Sequence, residues 1–250
     1  MSRAEISAPD VEPPPSGRAV RRTPTALVVA VAVGCAVALA LSVARLTAEL
    51  TRSPTRAEAV AARSAEIAAR YRTWPAGRIF PASLPYTLDG ARATARRLGI
   101  ASGTGCASGV DAAMVKALDA LGCRAVLRAT YLDQSQGLGV TVGVVVLADA
   151  ARARRAAESL TPHGAVLGVR ALTFAGSLAG HFTDKARQTT AIGNDGPYVV
   201  AATAGYADGR PRRGHPQPDL ITLTRRLASG ILTPLTRPVP LTCDDRHFSC

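Results

Sequence analysis

The chain has 250 residues, 30 Lys and Arg against 18 Asp and Glu, a formal net charge of +12, and 4% aromatic residues. The cations are nearly all arginine, with Lys116 and Lys185 the only lysines, and they form no basic run of five or six. With so few aromatics there is no stacking platform for bases, so the composition argues against nucleic acid as a partner.

Residues 1–25 are polar and carry Pro13, Pro14 and Pro15. Such a segment buries too little apolar surface to order itself and reads as a disordered cytoplasmic tail. Residues 26–44 carry no charge. At 1.5 Å per residue they reach about 28 Å, close to the thickness of a bilayer's hydrocarbon core. They therefore read as a transmembrane helix, with the lipid bilayer as its partner.

A cleaved signal is the competing reading, since Ala38-Leu39-Ala40 resembles a cleavage site. The apolar run continues past it, which favours an uncleaved anchor. Cys35 follows Gly34, but Ala32 and the apolar residues after the cysteine do not suit lipid attachment. Arg21-Arg22 is followed by Thr23-Pro24-Thr25, which does not fit twin-arginine export. Flanking charge does not set the orientation: Arg18, Arg21 and Arg22 balance Arg45, Arg52 and Arg56.

Residues 45–71 form a juxtamembrane or stalk segment, with a helix opening at Ser53-Pro54. Ala57, Val60, Ser64, Ile67 and Tyr71 share one helical face, enough for packing on a domain or for a weak homodimer.

Residues 72–250 are expected to form one extracytoplasmic α+β domain. Trp74, Ile79 and Phe80 pin its first segment to the core. Tyr86-Thr87-Leu88 is a short strand, and Asp89-Gly90 opens a helix to Leu98. The Gly-rich stretch 100–109 matches neither phosphate-binding fingerprint and reads as a turn. A helix follows over 110–121, closed by Gly122.

Residues 123–132 alternate, with Ala125, Leu127, Ala129 and Tyr131 on one face and Arg124, Val126, Arg128 and Thr130 on the other. Residues 140–147 are the strongest strand, β-branched and apolar, paired with the first as a hairpin. A helix over 149–160 and a strand over 166–174 come next. A second hairpin over 188–192 and 198–206 has a four- or five-residue turn, and a last helix spans 219–232. The sum is an antiparallel sheet of four to five strands with helices mainly on one face.

Four cysteines follow the span: Cys106, Cys123, Cys243 and Cys250. An even number beyond an export-type segment predicts two disulfides in an oxidising compartment, placing the domain outside the membrane and the tail inside. A rod-like helix between Cys106 and Cys123 would hold them about 18 Å apart, beyond disulfide reach. Each of them is therefore expected to join one of Cys243 and Cys250, in either order.

No G-x-S-x-G turn, H-E-x-x-H or C-x-x-C spacing is present. No catalytic residue, metal or cofactor is expected. The function expected is binding or sensing. An open sheet face carrying Arg124, Arg128, Thr130 and Thr141 would suit an anionic envelope polymer, because guanidinium forks onto carboxylate or phosphate. The alternative is an assembly partner for another envelope protein, dimerising through residues 53–71. An envelope hydrolase is the third reading.

The segments W-P-A-G-R-I-F-P (74–81), G-C-R-A-V-L-R-A-T-Y (122–131) and T-V-G-V-V-V-L (141–147), behind an N-terminal span, resemble uncharacterised single-pass membrane proteins of high-GC actinobacteria. The overall plan also resembles the extracytoplasmic sensor domains of mycobacterial serine/threonine kinases. That likeness implies a small α+β domain with two disulfides and transfers no ligand residue. The chain carries no kinase domain.

Overall fold

The computed structural model describes residues 25–160, 167–212 and 214–239. They fall into two compact units, one ending at Pro54 and the other beginning at Thr55.

The first unit holds helix α1, Thr25–Thr51. It is long and apolar enough to cross a membrane, with a mean hydropathy of 2.7 and no buried residue. Ser42, Thr47 and Thr51 turn their hydroxyls back onto carbonyls one turn earlier, so their polar atoms are satisfied within the helix.

The second unit begins with α2, Arg56–Thr73. Its cap is Thr55, not Ser53. Thr55 and Glu58 form a reciprocal capping box, a T-x-x-E pattern readable in the sequence. A one-turn helix α3, Ala76–Ile79, follows, and Ile79 and Phe80 enter the core as expected. Then come β1 (Ser83–Leu88), β2 (Ala91–Ile100), α4 (Cys106–Gly109), α5 (Ala112–Ala120), β3 (Ala125–Leu132), β4 (Leu138–Val146), α6 (Ala150–Leu160), β5 (Arg187–Asp195), β6 (Tyr198–Tyr206) and α7 (Pro218–Thr236).

The fold is α+β. Among the described residues its antiparallel sheet has six strands in the order β1-β2-β3-β4-β6-β5, more than the four or five expected. The extra strand comes from Asp89-Gly90. Both residues have positive φ, 48° and 80°, which is the backbone of a two-residue hairpin turn and not of a helix start. Residues 91–100 therefore pair with β1 as β2. The β5–β6 turn is likewise tighter than expected, with Asp195 opposite Tyr198 and only two residues between them.

β4 and β6 are the core strands, buried along nearly their whole length. On the first sheet face, Val140, Val142, Val144, Tyr198, Val200 and Ala202 meet α7 through Leu220, Leu223, Leu227, Ile231 and Leu235. α7 touches β5 and β6 and also β1, at the opposite edge, so the sheet curls around this one helix. On the second face, Val126, Val145, Val199 and Ala201 meet α5 and α6 through Met114, Leu118, Ala153 and Ala156. Helices thus lie on both faces, with α7 the longest.

α2 is tied to this core at its C-terminal end. The Arg70 side chain is fully buried. Its Nη1 donates to the Leu235 and Arg237 carbonyls at 2.8 and 2.9 Å, while Nε and Nη2 hold Glu66. A cation thereby meets the carbonyls that end α7, where the helix dipole is negative. The Arg70 guanidinium also stacks over Trp74 at 4.6 Å, and Arg78 lies 3.7 Å from the same ring.

The disulfide corrects the pairing expected from sequence. Cys106 is joined to Cys123, with Cα atoms 6.4 Å apart. The rod assumed between them does not exist. Val110 and Asp111 are extended and break the segment into α4 and α5, and Val110 bridges Val169. After α5, Gly122 at φ 72° reverses the chain and Cys123 N bonds to Leu118 O. The two cysteines therefore return to one place. Cys243 and Cys250 lie outside the described residues, and their expected pairing with Cys106 and Cys123 is overturned.

Tyr198 gives a pH signature. Its hydroxyl donates to Ile67 O at 2.6 Å and accepts from Tyr71 N at 3.3 Å, linking β6 to α2. Burial pushes its pKa from 10 up to about 12, opposed by the Tyr71 bond. Burial raises Tyr131 in the same direction. A raised tyrosine pKa stabilises the neutral form in the fold. That stability is complete below about pH 10 and falls as pH rises towards about 12. Urea midpoints should thus decline between about pH 10 and about pH 12, and less steeply in Tyr198→Phe. A flat wild-type profile would contradict the assignment.

Candidate functional site

The expected anion-binding residues lie on the second sheet face, but that face is closed where they stand. Thr130, Thr141, Thr203 and Thr190 are register neighbours, one from each of β3, β4, β6 and β5. Residues 167–174 cross this threonine row as an irregular strap, not as the strand expected over 166–174.

Thr203, Thr130 and Thr141 of this row fasten the strap. Thr203 Oγ1 donates to Val169 O at 2.9 Å and Thr130 Oγ1 donates to Leu172 O at 2.6 Å. Leu172 N in turn donates to Thr141 Oγ1 at 3.0 Å. Thr130 and Thr141 lie 2.9 Å apart. With the Thr130 proton committed to Leu172, Thr141 is the donor between them. Glycines make the seat: a Cβ at Gly143 would strike Val169, at Gly99 Phe174, and at Gly139 Phe182.

The strap's flanks are ionic. Asp111 takes both Nη atoms of Arg187 at 2.8 Å and also accepts from Gly168 N at 2.8 Å. Asp184 accepts from Ala171 N at 2.7 Å and from Arg170 Nε at 3.0 Å. Asp111 is thus the anchor of the strap.

Of the four predicted residues, Thr130 and Thr141 are therefore brought together and fully buried. Arg128 lies half-buried at the strap's edge and donates to Arg170 O at 3.1 Å. Burial, then the Arg170 charge, lowers its pKa. Arg124 is exposed just before β3, about 20 Å along the strand direction from Thr130. They do not form one open patch.

The bare part of this face lies further out, on β1 and β2. Cross-strand pairs Ser83–Arg96, Pro85–Thr94 and Thr87–Arg92 are all exposed, while Leu84, Tyr86 and Ala95 turn into the core. Only the second half of β2 pairs with β3, from Arg96 on, so the hairpin tip runs beyond the rest of the sheet. Two concavities of about 970 and about 330 Å³ lie along it and share Thr94.

The wall opposite is the turn 133–137. Asp133 builds it, accepting from Leu138 N at 2.8 Å, Ser135 N at 3.1 Å and the Ser135 hydroxyl. Gln134 then reaches back to accept from Thr94 N at 3.2 Å, and its own N donates to the Tyr86 hydroxyl at 3.4 Å. Leu178, exposed, closes the rim of the larger concavity.

Chemically this trough suits binding. The larger concavity has no histidine or cysteine in its wall. Its one carboxylate, Asp133, is committed to the turn and is not a free base. The sequence hides these residues because Asp89-Gly90 reads as a helix start as well as a hairpin turn. The alternation Arg92, Thr94, Arg96 was the available signal. No family model, curated protein or solved structure matches the chain.

Closed and open parts of the face should respond differently to mutation. Thr141→Val leaves Leu172 N without its acceptor and should cost about 1–3 kcal/mol. Thr94→Val, on the bare hairpin, should stay within about 0.5 kcal/mol of wild type. Urea unfolding of both variants checks this, and equal effects would contradict the assignment.

Proposed function

We propose that the chain is a single-pass membrane protein whose Thr55-onward unit is a non-enzymatic binding or sensing module on the extracytoplasmic side. The reading is carried by an open trough without a free base, set on a unit closed by a disulfide. α1 supplies the anchor: at 27 residues it reaches about 40 Å, more than the hydrocarbon core requires. The Cys106–Cys123 bond supports the side, because structural disulfides persist in oxidising compartments and are rare in the cytosol. The likeness to actinobacterial membrane proteins and extracytoplasmic sensor domains points the same way.

A second reading is an assembly partner pairing through residues 53–71. It draws on α2, where Ile67 and Tyr71 pack on the core but Val60 is 53% exposed.

The placement is tested on intact cells with a membrane-impermeant maleimide. Cys106 and Cys123 should label from outside, and only after reduction, with peptide mapping showing them joined beforehand. Labelling that requires permeabilisation, on thiols already free, would contradict the extracytoplasmic module. In the same membranes, an inter-chain cross-link through Val60→Cys reads the second proposal.

A further inference from the structure

Arg92 and Arg96 lie four residues apart on one strand, so both project from the same face, about 13 Å apart. Opposite them stand Thr87 and Ser83, where a self-sufficient sheet surface would commonly place a carboxylate. Among the described residues neither arginine has an ion-pair partner, whereas Arg70, Arg170, Arg187 and Arg210 each hold one. Other surface arginines, such as Arg154 and Arg155 on α6, also have no ion-pair partner among the described residues. Arg92 and Arg96 differ in each lining one of two adjacent concavities that share Thr94, and together these make a trough with one arginine on either side of that residue.

Resting on the binding-module reading, we propose that this trough binds an extended anionic glycan, with successive phosphate or carboxylate groups on Arg92 and Arg96. The guanidinium fork matches either oxyanion. The hydroxyls of Ser83 and Thr94 and the amides of Gln134 and Gln136 offer both donors and acceptors to sugar hydroxyls. An extended peptide fits less well. It would add to the β1 edge, where Pro85 removes a backbone donor. A flat bilayer surface cannot follow a concave trough.

The test uses the full chain in phosphatidylcholine nanodiscs, with polygalacturonate and phosphorylated dextran as probes and neutral dextran and polyglutamate as controls. At least one anionic glycan should bind, weakening with salt, and neutral dextran should not. Arg92→Ala/Arg96→Ala should weaken binding by about tenfold or more. Arg92→Lys/Arg96→Lys should fall between, since charge stays and the fork is lost. Arg154→Ala/Arg155→Ala should bind as wild type.

Equal losses in the two alanine pairs, or polyglutamate bound as tightly as the glycans, would overturn the site. Binding of neither anionic glycan would overturn the ligand class. These failures leave the compartment labelling untouched, and a cytoplasmic placement would overturn the module reading even if glycan bound.

Discussion

The second face of the sheet depends on one arrangement: a threonine row that lets an irregular segment lie on buried strands. Buried backbone must find hydrogen-bond partners, and a strap without strand pairing cannot find them along itself. Here the bonds come from outside the segment. Gly168 N goes to Asp111, Arg170 N to Gly109 O, Ala171 N to Asp184 and Leu172 N to Thr141. The Val169 and Leu172 carbonyls take Thr203 and Thr130. This explains threonines in the middle of strands otherwise built from valine and alanine. The neighbouring glycines answer the steric half of the problem, receiving Val169, Phe174 and Phe182.

The strap also decides which part of the sheet is left bare. α7 fills the first face and draws β1 towards β5 by curling the sheet, with Arg70 fixing its far end to α2. α5, α6 and the strap fill the second face over β3, β4, β6 and β5. Among the described residues, what remains bare of the sheet is the outer side of the β1–β2 hairpin, which runs past its neighbours. The bare arginines of this face are thus Arg92 and Arg96 on the hairpin, whereas Arg128 is half-buried at the strap's edge.

The strongest elements were legible for a plain reason. The β-branched run in β4 and the alternation in β3 state their faces directly, and Thr130 and Thr141 share a face as that reading implied, where the register sets them opposite each other. The leucines of α7 repeat at helical spacing and are buried as expected. The failures share a different cause, chain reversals that periodicity does not encode. Asp89-Gly90 can cap a helix or turn a hairpin, and positive φ at both residues decides for the hairpin. The break at Val110 and Asp111 depends on the bridge to Val169 and the salt bridge to Arg187, partners about sixty and seventy-six residues away. The disulfide and the strap were hidden by that same distant contact.

The central claim is that residues 167–174 belong to the core although they form no strand. Amide hydrogen exchange on the full chain measures it directly. The amides of Gly168, Arg170, Ala171 and Leu172 should exchange slowly, alongside those of β4, while the exposed hairpin tip at 88–92 exchanges fast. Exchange of the strap amides at the rate of the hairpin tip, with β4 still protected, would contradict it.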